Sequence, residues 1–232
     1  MIALEEETVV MPTAVHLDRV LLARTGTAAI RQYILENQDR IVELTPGGVI
    51  DQVMGFDEYL SHDNFFEMDP PLSRNGAPPE IIKGESSEIV VAEAVNFTRK
   101  VQAEGKPFFI VIWFGSPHGP YSGKPEDVAL YSKVPNEDMR RRFAEITAMD
   151  RAIGTYRQAL RSLGVADTTL LWFNSDNGIP IPNEQDSFNG GWRGTKGTVY
   201  EGGLRVPGII EWPAVITKPR ATSHPAGTFD IF

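Results

Sequence analysis

The chain has 232 residues, a formal net charge of −9 and no cysteine. That length allows one large domain or two small ones around a sizeable core. The acidic balance speaks against a general nucleic-acid binder, which carries a basic patch or stripe. The absent cysteines exclude a disulfide framework, a thiolate metal site and a cysteine nucleophile within these residues. With 41% apolar and 23% charged residues, a packed core rather than a disordered chain is expected. No apolar run is long enough to span a bilayer, so no membrane partner is expected. The start, Met1 to Glu7, is acidic and does not read as a secretory signal; an exported parent would need a different N-terminus.

Residues 1–53 carry the weakest pattern. Ile30, Ile34, Ile41 and Leu44 share a helical face, which predicts a helix over 27–44, broken by Thr45-Pro46-Gly47-Gly48. Residues 55–84 are rich in Pro, Gly, Asp and Asn and read as a long irregular connection. From Ser86, Val90, Ala94, Phe97 and Val101 form one helical stripe with Gly105 as a stop. Phe108 to Phe114 is a continuous apolar run of aromatic and β-branched residues, which predicts a buried strand. A long helix follows, with Met139, Phe143, Ile146, Met149, Ile153, Tyr156, Leu160 and Leu163 on one stripe. Asn136 is placed to cap its start and Gly164 to close it. Thr168 to Phe173 reads as the next strand and Val206 to Trp212 as a third, with Pro207 near its start. Apolar strands separated by amphipathic helices predict an α/β fold: a mostly parallel sheet with helices on both faces.

Each of the two best strands ends in a polar cluster. Gly115-Ser116-Pro117-His118-Gly119-Pro120 follows the first, and Asn174-Ser175-Asp176-Asn177-Gly178 follows the second. Parallel strands would put both clusters at the carboxyl edge of one sheet, where ligands bind in open α/β sheets. His118 there could act as a general acid, a proton shuttle or a hydrogen-bond donor to an anion, or be a solvated loop histidine. Asp176 and Asn177 offer adjacent oxygens for a hard cation, although Asp, Asn and Gly are equally the commonest turn formers. A third cluster spans Gly190 to Pro207, where six glycines accompany Arg193, Lys196 and Arg205. Glycines let backbone approach a ligand, and Lys196 is a compact charge for a sulfate or phosphate oxygen. A flexible basic loop is the simpler alternative. The order required of a P-loop is absent.

Three blocks, in this order, resemble the sulfatases of the alkaline-phosphatase-like superfamily. They are Lys106 to Pro120, Leu163 to Gly178 (LGVADTTLLWFNSDNG) and Gly194 to Pro213 (within RGTKGTVYEGGLRVPGIIEWP). Gly55 to Tyr59 resembles a further sulfatase segment. The resemblance covers residues 54–232 and implies a partial catalytic domain there, with 1–53 unassigned and unlike the family. It implies Asp176 and Asn177 as ligands of Ca2+, or of Mg2+, in an incomplete site. It implies His118 and Lys196 as catalytic and substrate-binding residues for a sulfate ester, carried by a sulfated small molecule or carbohydrate.

The departures from the family are equally specific. No Cys/Ser-x-Pro-x-Arg segment, whose Cys or Ser becomes the formylglycine nucleophile, occurs in these residues. Neither the early pair of metal-binding aspartates nor the Gly-Lys-Trp-His segment is recognisable. Phe229 to Phe232 resembles the start of a family helix that should continue. The expectation is a fragment, incomplete at both ends, of a sulfuric ester hydrolase, inactive by itself. Two alternatives are a phosphoesterase of the same superfamily and a non-catalytic anion-binding module. The Lys-Gly-Thr-x-Tyr-Glu-Gly-Gly order favours sulfate.

Overall fold

A computed structural model describes residues 56–62, 68–180 and 190–227. The helix predicted over 27–44 and the family-like end at 229–232 lie outside these residues. The chain divides into two compact units, Met1–Ala159 and Leu160–Phe232. Among the described residues, no helix is long and apolar enough to cross a membrane.

The first unit opens with a small antiparallel sheet of β1 (Leu60–Ser61), β2 (Pro71–Arg74) and β3 (Glu80–Ile81). Leu60 pairs with Arg74, and Leu72 with Glu80. This corrects the irregular connection expected over 55–84. Strands of two to four residues are too short to show a period, and their turn residues dominate the pattern. Asn75 and Gly76 turn the chain with φ of 50° and 78°, and the Asn75 carboxamide oxygen accepts from the Tyr59 N–H at 2.8 Å. Arg74 then donates to both oxygens of Glu93 at 2.6 and 2.8 Å, tying the sheet to the next helix.

That helix, α1 (Ser86–Ala103), starts with the Glu85 carboxylate accepting from the Glu88 N–H at 2.9 Å. It ends as predicted at Gly105 (φ 67°). Gly105 N–H bonds to the Gln102 carbonyl and Lys106 N–H to that of Val101, the two bonds of a Schellman motif. A second helix, α2 (Pro125–Leu130), is short and begins with proline. The third, α3 (Glu137–Ser162), is capped by the Asn136 side chain, which accepts from the Met139 N–H at 3.0 Å. Gly164 (φ 71°) closes it with the same pair of bonds, to Arg161 and Leu160.

The helix spans match the predicted ones, but the buried faces are rotated. In α1 the innermost residues are Ser87, Val91, Ala94, Thr98 and Val101, so Val90 and Phe97 flank the buried stripe. In α3 they are Ala144, Ala148, Ala152, Tyr156 and Leu160, while Ile146 is exposed. Small residues take most of the deepest positions, and Tyr156 and Leu160 are the large side chains of α3 buried with them. The Thr98 hydroxyl lies 3.0 Å from the Tyr156 hydroxyl, and burial pushes the Tyr156 phenol up, partly offset by that hydrogen bond. Thr98 also donates to the Ala94 carbonyl at 2.7 Å and is fully buried. The Asn96-Phe97-Thr98 sequon therefore stands in a packed helix rather than a surface loop.

Phe108 to Phe114 departs from the expected strand. The run makes no ladder among the described residues, and its burial alternates, with Phe109 60% and Trp113 67% exposed. The Phe56 ring stacks on Phe109, with centroids 6.3 Å apart.

Behind the next loop, Arg151 of α3 gathers two acids from other elements. It donates to both oxygens of Asp127, at 2.9 and 2.7 Å, and to Glu88 at 2.9 Å. Lys124 makes a further ion pair with Glu88. The Arg151 hydrogen bonds hold the Asp127 carboxyl below its usual range. Burial opposes the same shift at Glu88, where the Lys124 and Arg151 bonds prevail.

The second unit contains β4 (Leu171–Asn174), α4 (Glu201–Leu204) and β5 (Gly208–Glu211). β4 pairs with β5 in register from Leu171↔Glu211 to Asn174↔Gly208. Pro207 immediately precedes β5, so its missing donor costs the ladder nothing. Every ladder among the described residues is antiparallel. The mostly parallel sheet with helices on both faces is thus not among them, because the 108–114 run that would supply one of its strands is unladdered there.

Candidate functional site

The residues singled out by sequence divide between the units: His118 lies in the first, and Asp176, Asn177 and Lys196 lie in the second.

In the second unit, the end of β4 and the glycine-rich loop are joined through main chain. Gly178 N–H donates to the Gly203 carbonyl at 2.8 Å, and Lys196 N–H to the Ile179 carbonyl at 3.0 Å. Asp176, Asn177 and Lys196 are therefore neighbours on one backbone framework, although about twenty residues of chain separate them. The loop is not a flexible tether. Gly202 N–H bonds to the Arg193 carbonyl at 2.8 Å. Thr198 closes a tight ring by donating its hydroxyl to the Thr195 carbonyl at 2.7 Å and accepting from the Thr195 N–H at 3.1 Å.

The glycines here are required by proximity. A Cβ on Gly178 would lie 1.9 Å from the Gly202 carbonyl oxygen, and one on Gly202 would lie 2.0 Å from that of Gly194. Loop density of glycine was legible in the sequence; that these glycines meet one another was not.

The 175–178 step is a turn, as the simpler reading has it. Ser175 donates to the Asn177 carbonyl at 3.1 Å, and the Asp176 carboxylate accepts from the Asn177 N–H at 2.9 Å through Oδ1. The Asn177 amide donates Nδ2 to the Gly178 carbonyl at 2.9 Å, and its Oδ1 takes no part in that bond. The exposed Asp176 keeps Oδ2 out of these bonds. The turn thus offers two oxygens. Calcium takes six to eight, and no group of three or more acidic or histidine side chains able to hold a metal occurs among the described residues. These residues do not by themselves fit a complete cation site.

Lys196 is exposed. The two arginines of the loop are held against aromatic faces, Arg193 3.8 Å above Tyr200 and Arg205 4.4 Å above Trp192. Arg193 also donates to the Tyr200 hydroxyl at 2.8 Å. Lys196 is the cation of the three with no such stacking among the described residues.

In the first unit, His118 is half-buried, with a cis peptide bond on either side, at Ser116–Pro117 and Gly119–Pro120. Its Nδ1 lies 2.8 Å from the Gly119 carbonyl, which can only accept, so Nδ1 is the protonated donor of that contact. The loop is bracketed by two contacts that no sequence pattern announced. Before His118, the Ser116 hydroxyl lies 3.1 Å from that of Ser87 on α1. After it, the Ser122 N–H donates to the Glu145 carboxylate of α3 at 2.6 Å. Glu145 is fully buried in the alanine face of α3. The one available signal was an acid sharing the helical face of Ala148 and Ala152.

A family model described as Sulfatase matches residues 30–232, beginning upstream of the boundary at 54 expected from the motifs. Rat steryl-sulfatase is 29% identical over 161 residues, covering 66% of this chain and 26% of that protein. Human N-acetylgalactosamine-6-sulfatase is 30% identical over 161 residues, covering 67% of this chain and 29% of that protein. The chain thus spans between a quarter and a third of the length of these relatives. Among solved structures, Ps i-CgsB in complex with k-i-k-neocarrahexaose superposes with a TM-score of 0.62 at 28% identity, covering 68% of this chain and 40% of that one. A Bacteroides thetaiotaomicron protein from a locus for glycosaminoglycan metabolism shares the fold, with a TM-score of 0.60 at 24% identity over 72% of this chain and 38% of that one. With the family model matched over most of its length, the chain belongs to the sulfatase family.

Proposed function

We propose that these residues are the anion-binding part of a sulfuric ester hydrolase. The observation that carries the reading is the main-chain junction of the Asp176–Asn177 turn with the Lys196 loop. It sets a carboxylate and an amide oxygen, suited to a cation, on one framework with an exposed ammonium, suited to a sulfate oxygen. Lys196 binds the sulfate and offsets charge on the sulfuryl oxygens as the ester bond lengthens. The resemblance assigns His118 the protonation of the leaving alkoxide or phenoxide; with Nδ1–H engaged by Gly119, that proton comes from Nε2–H of the imidazolium form. Asp176 and Asn177 would supply two of the oxygens for a divalent cation, Ca2+ or Mg2+, whose charge would neutralise sulfate when bound. The family match and the order of the motifs favour sulfate over phosphate.

The substrate class is a sulfated small molecule or carbohydrate, in keeping with the steryl and N-acetylgalactosamine sulfatases among the relatives. The run 108–114, whose burial alternates, and β4 would take their places in a mostly parallel, alkaline-phosphatase-like sheet in the whole protein. The likeness to Ps i-CgsB supports that placement.

Two measurements test the reading. The 232-residue chain is expected to show no turnover of an aryl sulfate, because no formylglycine-forming segment occurs in it. It should still bind inorganic sulfate weakly at the Lys196 loop, with amide shifts at 194–198 that disappear in Lys196→Ala. Turnover by the purified chain would overturn the first expectation, and sulfate shifts indifferent to Lys196→Ala would overturn the assignment of that residue. In a calorimetric titration the chain should bind calcium no tighter than the micromolar range, since only two ligand oxygens are gathered on the turn. Submicromolar binding would mean that the described residues understate the site.

A further inference from the structure

We propose that Glu145 is a positioning residue for His118, acting through the backbone of the loop that carries it. The proposal rests on the reading of His118 as a proton donor. A carboxylate is costly to bury unless its oxygens are hydrogen-bonded or paired. Glu145 is fully buried, and Arg142, Ala144, Ala148 and Ala152 are the buried residues beside it along α3. What it holds there is a backbone donor: Ser122 N–H at 2.6 Å, a short charge-assisted bond.

The contact is reinforced by shape. A Cβ on Gly123 would stand 2.9 Å from the Ala144 Cβ, so the loop lies directly on α3 one residue after the bond. Lys124 then pairs with Glu88 of α1. On the other side of His118, Ser116 meets Ser87 of α1. The seven residues from Ser116 to Ser122 are therefore pinned at their ends to two different helices, with His118 between the pins. A general acid needs its ring nitrogen placed to within a fraction of a hydrogen bond's length, and a loop secures this only when its own backbone is fixed. The reach of Glu145, rather than its charge alone, delivers that fixing.

Two near-isosteric variants separate reach from charge. Glu145→Gln keeps the acceptor oxygen where it is; Glu145→Asp keeps the charge but withdraws it by one methylene. Imidazole NMR spectra are recorded on the full 232-residue chain at fixed pH, with the His118 signal assigned by its loss in His118→Asn. Circular dichroism confirms retained helix. Glu145→Gln should leave the His118 signal in place. Glu145→Asp should shift or broaden it and speed exchange of the Ser122 amide about tenfold or more, with His62 and His224 unmoved. Equal perturbation by both variants, no perturbation by either, or the reverse ranking would overturn the proposal. None of these readouts depends on sulfate. If His118 proved to have no part in ester cleavage, sulfate titration and turnover would show it while the Gln/Asp contrast remained intact.

Discussion

Gly178→Ala should cost the second unit at least ~3 kcal/mol of stability, the upper end of what overpacking usually costs. The added methyl would sit 1.9 Å from the Gly202 carbonyl oxygen and 2.8 Å from the Gly202 carbonyl carbon. Both are main-chain atoms, so no side-chain rotamer can relieve the clash. Relief requires breaking the Gly178–Gly203 bond, and with it the junction that sets Asp176 and Asn177 beside the Lys196 loop. Amide exchange along β4 and α4 should accelerate, and sulfate shifts at Lys196 should vanish although Lys196 is untouched. Gly105→Ala is the control. Nothing lies within 4 Å of its added Cβ, so only the strain of its positive φ is felt, about 1 kcal/mol. Equal effects of the two substitutions would show that the glycine contact is not a constraint.

Arg151→Met should destabilise the first unit by about 2 kcal/mol near neutral pH, and the loss should shrink in acid. Removing one partner of a buried ion pair commonly costs 3–5 kcal/mol; Arg151 is itself 44% exposed, and water screens part of that. Asp127, only 3% exposed, would be left ionised among its neighbours. The sign of the pH dependence follows from the two acids. Both Asp127 and Glu88 have folded-state pKa values below their ordinary ones, so in acid the unfolded chain binds more protons than the folded one. Their contribution is complete above about pH 5 and is lost as pH falls through the lowered values. Amide exchange in α1 and α3, measured between neutral pH and about pH 3, should show the two proteins converging. A pH-independent difference would assign Arg151 a packing role alone.

The sequence made the helices legible because a period of three to four residues survives over five or more turns, and Asn136, Gly105 and Gly164 mark the ends with chemistry of their own. It misjudged which residues lie deepest. Hydropathy ranks Phe97 and Ile146 above Thr98 and Ala148, whereas the smaller pair are the buried ones. The strands of the first sheet were hidden by their brevity. At the site, adjacent oxygens and a lysine among glycines stood out as types, but their juxtaposition depends on main-chain bonds between segments distant in sequence. Glu145 was invisible for a related reason: an acid on a helix reads as solvent-facing until the backbone donor it serves is seen.

The alternation along Phe108 to Phe114 has a consequence for the behaviour of the chain at high concentration. Phe109, Val111 and Trp113 are exposed apolar side chains close together in sequence, the kind of surface that favours association between chains. Lys106 and Pro107 stand at its head, a charge and a residue without an N–H donor, which are the usual gatekeepers of such segments. The net charge of −9 adds mutual repulsion between molecules, a protection that acts over about 30 Å at 0.01 M salt and contracts to about 10 Å at 0.1 M. Colloidal stability of this chain is therefore guarded by charge, at Lys106 and over the whole acidic surface, and by the missing donor of Pro107; salt weakens the charges and leaves Pro107 unaffected.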